Sequence, residues 1–421
     1  MTADPAINRP ALAYLTGEYP KVSHTFILRE VAALREQGWP VEACTIRRPD
    51  PKTIVGADQQ AEAARTFAVI EAAKSPVRLA RALIWALARD PRAVARAARL
   101  AWAIRPPGIK AALWQGFYLL EAIVLAHHLA GRGVVHLHNH FADSSGTVAM
   151  LTAEIGGIGF SMTMHGPALF YEPHRWRLDA KTARARFVAC ISHFCRGQAM
   201  HFSDPAHWDK LKIVHCGVVP ESYGRAPDAP RGKRLIFVGR LAAVKGVPVL
   251  IEAFERLVAR HPEARLEIVG DGPERARAEA RVAERGLGQA VSFLGYQSAD
   301  AVSGLLARAD CLVLPSFAEG VPVVLMEAMA SGLPVVASRV AGVQELVEDG
   351  VSGFTVPAGD VETLVARLDQ LLSDPDLCER MGAAGRAKVC AEFDQGAEAL
   401  WLGQIVEGAL AGQLPASLRP Q

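Results

Sequence analysis

Cysteine is scarce and irregular in this chain. Seven occur in 421 residues, at Cys44, Cys190, Cys195, Cys216, Cys311, Cys378 and Cys390, with no C-x-x-C among them. An odd, scattered set does not suit a disulfide framework or a zinc ribbon, and it fits a reducing compartment. Aromatic residues are also few, at 7%, while half of the residues are apolar and 21% are charged. That balance suits a packed protein and excludes a disordered or collagen-like one. The first residues, Met-Thr-Ala-Asp-Pro-Ala, lack a basic stretch followed by an apolar core, so no signal peptide is read there. Long apolar runs are lacking too. The most apolar stretch, 111–131, is interrupted by Glu121 and by His127 and His128, and reads as a poor bilayer span. Together these features lead to the expectation of a cytoplasmic protein.

An excess of either charge is missing as well, since the net charge is +2, but the sum hides an asymmetry. Residues 1–230 hold 27 Lys and Arg against 19 Asp and Glu, while residues 231–421 hold 19 against 25. The excess is concentrated in 74–110, where nine Lys or Arg accompany one acid, Asp90. Ser75-Pro76 and Asp90-Pro91 read there as helix starts. The second helix carries Arg92, Arg96 and Arg99 on one face, and the first carries Leu83, Ile84, Trp85 and Leu87. A basic, Trp-bearing amphipathic pair suits an anionic membrane surface. A solvated basic face is the plainer alternative. Nucleic acid is not expected, because no recognition motif accompanies the charge.

Short apolar runs alternate with amphipathic stretches along most of the chain. Strands are read at 12–16, 41–46, 134–138, 160–164, 187–191 and 212–215, with a helix over Thr25–Glu36. The Pro- and Gly-bearing segment 220–232 interrupts the rhythm. It then restarts with Arg234–Val238, Arg265–Val269, 291–294, Cys311–Leu314 and 334–337, and three helical patterns close the chain. Repeated strand–helix–strand units imply mostly parallel sheets with helices on both faces, so the fold class is α/β. The expected organisation is a domain over 1–220 containing the basic helical segment 74–110, and a linker over 221–232. A second domain follows over 233–395, and a last helix over 396–421 is expected to return to the first domain. Open α/β sheets bind ligands beyond the carboxyl ends of their strands. Two such domains facing a cleft would place residues just after the strands where chemistry happens.

Three stretches of the second half stand at such positions. Residues 236–246, Ile-Phe-Val-Gly-Arg-Leu-Ala-Ala-Val-Lys-Gly, end a strand at Gly239 and place Arg240 and Lys245 on one loop. Two cations there suit a diphosphate, Arg as a fork and Lys as a point charge. Residues 268–275, Ile-Val-Gly-Asp-Gly-Pro-Glu-Arg, begin like a dinucleotide fingerprint but hold Arg275 where its third glycine belongs, so they read as a strand-to-helix turn. Residues 315–338 run from a strand end through Glu319-Gly320-Val321-Pro322 into an apolar helix bearing Glu327. Pro322 suits the first helical position. The backbone N–H groups of Gly320, Val321, Val323 and Val324 then form an anion-accepting helix N-terminus. A carboxylate on that apolar helix needs hydroxyls or a cation to satisfy it.

In the first half, Gly17 follows the first strand and permits close backbone approach to a ligand. His165 ends the strand over 160–164. His136, His138 and His140 alternate along one strand and so share one face. A metal site is conceivable there. No carboxylate set accompanies the three in sequence, and hydrogen-bonded histidines are the preferred reading.

Taken in order, Val-Gly-Arg-Leu with Lys-Gly, Gly-Asp-Gly-Pro, and Glu-Gly-x-Pro with a seven-residue gap to Glu327 resemble the nucleotide-sugar half of retaining family-4 glycosyltransferases. Their architecture is GT-B, two Rossmann-like domains facing a central cleft. Tyr19-Pro-x-x-Ser-x-Thr-Phe-Ile and His138-x-His-Phe141 resemble the bacterial exopolysaccharide, colanic-acid-like branch. That branch usually holds Glu where this chain has His24.

The resemblance implies transfer of a sugar with retention from a nucleotide-diphosphate donor to a hydroxyl of an acceptor, and the basic first half points to a lipid-diphosphate-linked glycan at the inner membrane face as that acceptor. It implies donor binding by Gly17, Gly239, Arg240, Lys245, Gly320, Val321, Val323, Val324 and Glu327, with Glu327 on the ribose hydroxyls. Glu319 and His165 are the expected catalytic pair, and Gly295, Tyr296 and Gln297 the expected base contacts. No metal and no cofactor beyond the donor substrate are expected. A GT-B sugar-nucleotide epimerase and a non-catalytic nucleotide-sugar binder remain as alternatives.

Overall fold

The computed structural model describes residues 9–226 and 233–420. The chain divides into two compact units, one of residues 1–215 with 399–421 and one of residues 216–398.

The first unit holds β1 (Ala11–Glu18), β2 (Val41–Arg47), β3 (Phe67–Ala68), β4 (Val134–His140), β5 (Gly159–Met164), β6 (Val188–Cys190) and β7 (Leu211–Ile213). All are parallel, in the order β3-β2-β1-β4-β5-β6-β7. The second unit holds β8 (Arg234–Val238), β9 (Arg265–Val269), β10 (Val291–Gly295), β11 (Cys311–Leu314), β12 (Val335–Ser338) and β13 (Phe354–Val356). These are also parallel, in the order β10-β9-β8-β11-β12-β13. Each sheet reverses its winding between two neighbours, β1 and β4 in one and β8 and β11 in the other. The crevice for a ligand in such a sheet opens at the carboxyl ends of those strands.

Most elements form where the apolar pattern puts them. The helix Thr25–Glu36 buries Ile27, Glu30, Val31 and Leu34, one helical stripe. The strand Cys311–Leu314 is buried at every residue, as a strand covered on both faces must be. Asp143 caps the helix Ser144–Gly156 by accepting from the Ser145 N–H. The last helix, Gln395–Ala411, begins in the second unit, and from Ala399 onward it belongs to the first. Trp401, Leu402, Ile405 and Val406 enter the first unit's core beside Leu12, Ile27 and Val31. The Trp401 Nε1–H donates to the Ile213 carbonyl at 2.9 Å. Each of those buried side chains contributes about 1.5–3 kcal/mol by leaving water.

The structure departs from expectation in several places. Residues 216–220 pack with the second unit, where a boundary at 220 would assign them to the first. The Val218 N–H donates to Phe393 O at 3.0 Å, and Gln395 N–H to Val218 O at 2.8 Å. The segment read as a linker is partly structured, with a 3-10 turn at Pro220–Ser222 and an Arg225–Asp310 pair at 2.9 Å. Its residues 227–232 lie outside the described residues. Strands β3 and β13, two and three residues long, are too short to give a periodic signal. Gly17 lies inside β1, one residue before its end, because that strand runs on to Glu18. Pro322 stands at the N-cap with ψ of 119°, so the helix starts at Val323. The apolar stretch forms the 22-residue helix Ile109–Ala130, whose best 18-residue window has a mean hydropathy of 1.4, enough by length and composition alone to cross a membrane. Glu121 and Ala122–Ala126 are buried within the unit, as in a core helix, which agrees with the reading of a poor bilayer span.

Candidate functional site

At the carboxyl edge of the second sheet, two loops are locked together by backbone. Gly246, at φ +65°, has no room for a Cβ, because one would strike the Pro315 carbonyl. The Phe317 N–H donates to Val244 O at 2.8 Å. Gly270 and Gly272 allow the next loop to press on the carbonyls of Gly239 and Leu241. This contact brings the Lys245 ammonium to 2.5 Å from Glu319 Oε1, with Glu319 only 9% exposed. Gly239 follows β8 and donates its N–H to Val269 O. Arg240, next to it, is exposed and makes no ion pair among the described residues. The helix Val323–Ala330 begins three residues beyond Gly320. Val323 and Val324 therefore occupy its first turn, and Gly320 and Val321 lie in the loop ahead of it. Glu327 is buried on that helix and accepts from the Tyr223 hydroxyl at 3.0 Å. A hydroxyl therefore meets the carboxylate's need, as burial of a charge requires.

The residues expected at the base lie farther along this sheet, at the end of its edge strand β10. Gly295 has φ +66° and its carbonyl accepts from Gly270 N–H. Tyr296 is half-buried, and the Gln297 amide folds back onto Leu294 O at 2.7 Å.

The first sheet gathers a second group. His140, the last residue of β4, sits 2.8 Å by Nδ1 from His165 Nε2, and 3.1 Å by Nε2 from Glu30 Oε1. Tyr14, on β1, donates its hydroxyl to the same Glu30 oxygen at 2.8 Å. Phe26 and Phe141 flank the His165 ring at 4.8 and 4.7 Å. Burial, then the neighbouring His140 and His24, hold His165 well below the usual imidazole range. His138 is lowered likewise, mainly by burial, and His136 is pushed down to about 4 for the same reason. Both bond to Ser161, and His138 also to Thr163. His24 is brought down to about 4, chiefly by burial, and lies 3.1 Å from Glu18 O.

Glu30, His138 and His140 are the one group among the described residues with ligand atoms close enough to hold a metal ion. Every one of those side chains is already engaged in the hydrogen bonds just described. Gly17 contributes openness, since a Cβ there would meet nothing within 4 Å.

The basic segment forms the helices Pro76–Arg89 and Pro91–Ile104, followed by Ile109–Ala130. Arg96 pairs with Glu154, and the Arg105 guanidinium lies 3.6 Å over the Trp102 ring. Lys74, Arg78, Arg81, Arg92, Arg99 and Lys110 make no ion pair among the described residues. Large apolar side chains stand exposed beside them, among them Ile84, Trp102, Ile109, Leu113, Trp114 and Phe117. The two Trp residues are 60% and 48% exposed, so these helices do not simply turn a basic face to water over a buried apolar one.

Sequence reasoning missed Glu30, Tyr14, Tyr223 and Lys181. Lys181 is completely buried and donates to the carbonyls of Ala142 and Asp143 at 2.6 Å each, pinning the loop that follows β4. Glu30 left a signal, a carboxylate on the apolar stripe of its helix. Tyr223 left none, being 104 residues from its partner Glu327.

Comparison with known proteins shows what the chain is similar to. The family of glycosyl transferases group 1 matches residues 225–388. The amylovoran biosynthesis glycosyltransferase AmsK of Erwinia amylovora is 29% identical over 94% of this chain and 99% of its own length. A colanic acid biosynthesis glycosyltransferase, WcaL of Salmonella typhimurium, is 36% identical over 44% of this chain and 46% of its own. Among solved structures, Anabaena HepE in complex with UDP and glucose superposes with a TM-score of 0.72 over 95% of this chain and all of that one, at 17% identity. The chain has the GT-B fold of these neighbours, and its residues 225–388 match the glycosyl transferases group 1.

Proposed function

We propose that this glycosyltransferase moves a sugar from a nucleotide-diphosphate donor to a hydroxyl of a lipid-linked glycan, with retention, in exopolysaccharide synthesis. The observation that carries the donor half is the junction of the loops after β8 and β11, where Lys245 and Glu319 meet beside Arg240 and the start of the Val323–Ala330 helix. Arg240, Lys245 and the N–H groups of Gly320, Val321, Val323 and Val324 face the leaving diphosphate. There they stabilise the charge that develops as the glycosidic bond breaks, without a metal. Glu327 takes the ribose hydroxyls, and Glu319 orients hydroxyls of the transferred sugar. His165, just beyond β5 of the first unit, receives a sugar hydroxyl. The departing phosphate accepts the acceptor's proton, so no second carboxylate is required. HepE is a GT-B protein solved with UDP and glucose, and AmsK and WcaL are named for polysaccharide synthesis, which favours this donor class and this pathway type.

The acceptor half rests on the exposed Trp102, Trp114 and Phe117 among cations with no acidic partner in the described residues. We read that surface as resting on anionic lipid at the inner face of the cell membrane. The test is incubation of the protein with UDP-, GDP- and ADP-sugars and a bacterial lipid extract, with products read by mass. A glycosylated lipid supports the proposal. A changed nucleotide-sugar without acceptor marks an epimerase, and no product from any donor contradicts turnover altogether.

A further inference from the structure

We infer that Glu30 and His140 are positioning residues that fix the tautomer of His165, so that His165 presents Nδ1 as a hydrogen-bond acceptor. This rests on the reading above, in which His165 meets a sugar hydroxyl. Four side chains from four elements form one line: Tyr14 of β1, Glu30 of the helix Thr25–Glu36, His140 of β4, and His165 just beyond β5. Tyr14 and His140 lie in strands that are neighbours in the sheet, His165 directly follows the next strand, and all four side chains are buried.

The direction of each bond follows from donor and acceptor chemistry. Tyr14 is raised well above the usual phenol range by burial and then by Glu30, so it keeps its proton and donates it. An ionised Glu30 can only accept. The nitrogen of His140 that faces it, Nε2, must then carry that ring's proton. In the neutral form of the pair each ring carries one proton, so His140 Nδ1 is then a lone pair that accepts, and among the described residues the nitrogen facing it is His165 Nε2, which supplies the proton. His165 Nδ1 is left deprotonated. The carboxylate thus selects, two rings away, which side of His165 donates and which accepts. The two rings stack at 5.0 Å and 22°, and Phe26 and Phe141 hold His165 from its other sides, so the ring cannot turn to offer the opposite nitrogen. The same logic governs a carboxylate that sets the tautomer of a catalytic histidine in hydrolases, here extended by one imidazole.

Glu30→Gln keeps an accepting oxygen and Glu30→Leu does not, which separates tautomer control from filling space. The full-length protein labelled with 15N-histidine is examined by NMR, whose long-range proton–nitrogen correlations distinguish protonated from unprotonated ring nitrogens. Wild type and Glu30→Gln are expected to show His165 with Nδ1 unprotonated, and Glu30→Leu a mixture of both forms. In steady-state kinetics, kcat of Glu30→Leu falls about 10- to 100-fold with donor KM within about threefold, because diphosphate and ribose are held by the other unit, while Glu30→Gln stays within about threefold of wild type. Nδ1–H on His165 of the wild type overturns the inference even if Glu30→Leu does not fold. So does a Glu30→Leu protein with His165 unchanged. His165→Ala with full turnover removes His165 from the reaction and so refutes the reading beneath, while the tautomer spectra stand on their own.

Discussion

Replacing Lys245 by Met separates what the Lys245–Glu319 pair does for the fold from what it does for the donor. The side chains are 22% and 10% exposed, with their charged atoms 2.5 Å apart. A fully exposed pair contributes about 0–1 kcal/mol, whereas removing one partner of a buried pair costs about 3–5 kcal/mol. This pair lies between those limits, and most of the loss comes from leaving Glu319 near-buried without its cation. Lys245→Met is therefore expected to cost about 2 kcal/mol, a drop of about 4–8 °C in melting temperature. Adding Glu319→Gln removes the stranded charge and should recover about half of that. Donor affinity moves by a different pattern. Lys245→Met weakens binding of nucleoside diphosphates about tenfold or more, through loss of a charge-assisted contact. Glu319→Gln, which releases Lys245, leaves that affinity equal or higher but lowers turnover. Thermal and urea unfolding of the four proteins, with calorimetric titration of UDP, GDP and ADP, reads both effects. Strict additivity of the two substitutions in stability would show that the pair is not coupled, and a Lys245→Met protein that binds diphosphate like wild type would remove Lys245 from the donor site.

Acid should weaken the first unit through its buried histidines. His136 is lowered from 6.5 to about 4 by burial, so the folded protein resists a proton that the unfolded chain takes up. Its contribution is fully present above pH 6.5 and is lost as pH falls toward 4, at a cost of about 3 kcal/mol, with His138 and His165 adding in the same direction. Urea midpoints across that window check this, and a flat profile contradicts it. Gly246→Ala forces a Cβ onto the Pro315 carbonyl at a left-handed φ, so stability should fall by about 2 kcal/mol or more together with donor affinity. Unchanged melting would show that the two loops are not locked. Trp114→Glu with Phe117→Glu should abolish sedimentation with vesicles rich in anionic lipid while donor binding is kept; wild-type protein that ignores such vesicles at low salt rules out the membrane surface.

Much of this was legible because the informative residues lie next to one another in sequence. The loop after β8 shows Gly239, Arg240, Lys245 and Gly246 within eight residues, and the turn after β11 shows Glu319 through Glu327 within nine. The apolar period of residues 395–410 marked a helix, and that helix delivers Trp401 and Ile405 to the first unit's core. What escaped was of two kinds. Tyr223 and Lys181 act through contacts that only the folded chain creates, with carboxylates or carbonyls 38 to 104 residues away. Glu30 was visible in principle, since it occupies the same stripe as Ile27, Val31 and Leu34. A charge on such a stripe is costly unless partnered, and that cost is the signal to search for a partner. The three alternating histidines gave the right face and a misleading emphasis. His136 and His138 are tied to Ser161, and only His140 reaches His165.

The proposed function stands on donor binding by the second unit, through the loops after β8 and β11. Calorimetric titration of UDP, GDP and ADP into the full-length protein and into Glu327→Ala tests it most directly. One-to-one binding of at least one of the three is expected, weakened about tenfold or more in Glu327→Ala through loss of the proposed ribose contact. Absence of binding by all three, or equal binding by the Glu327→Ala protein, would contradict it.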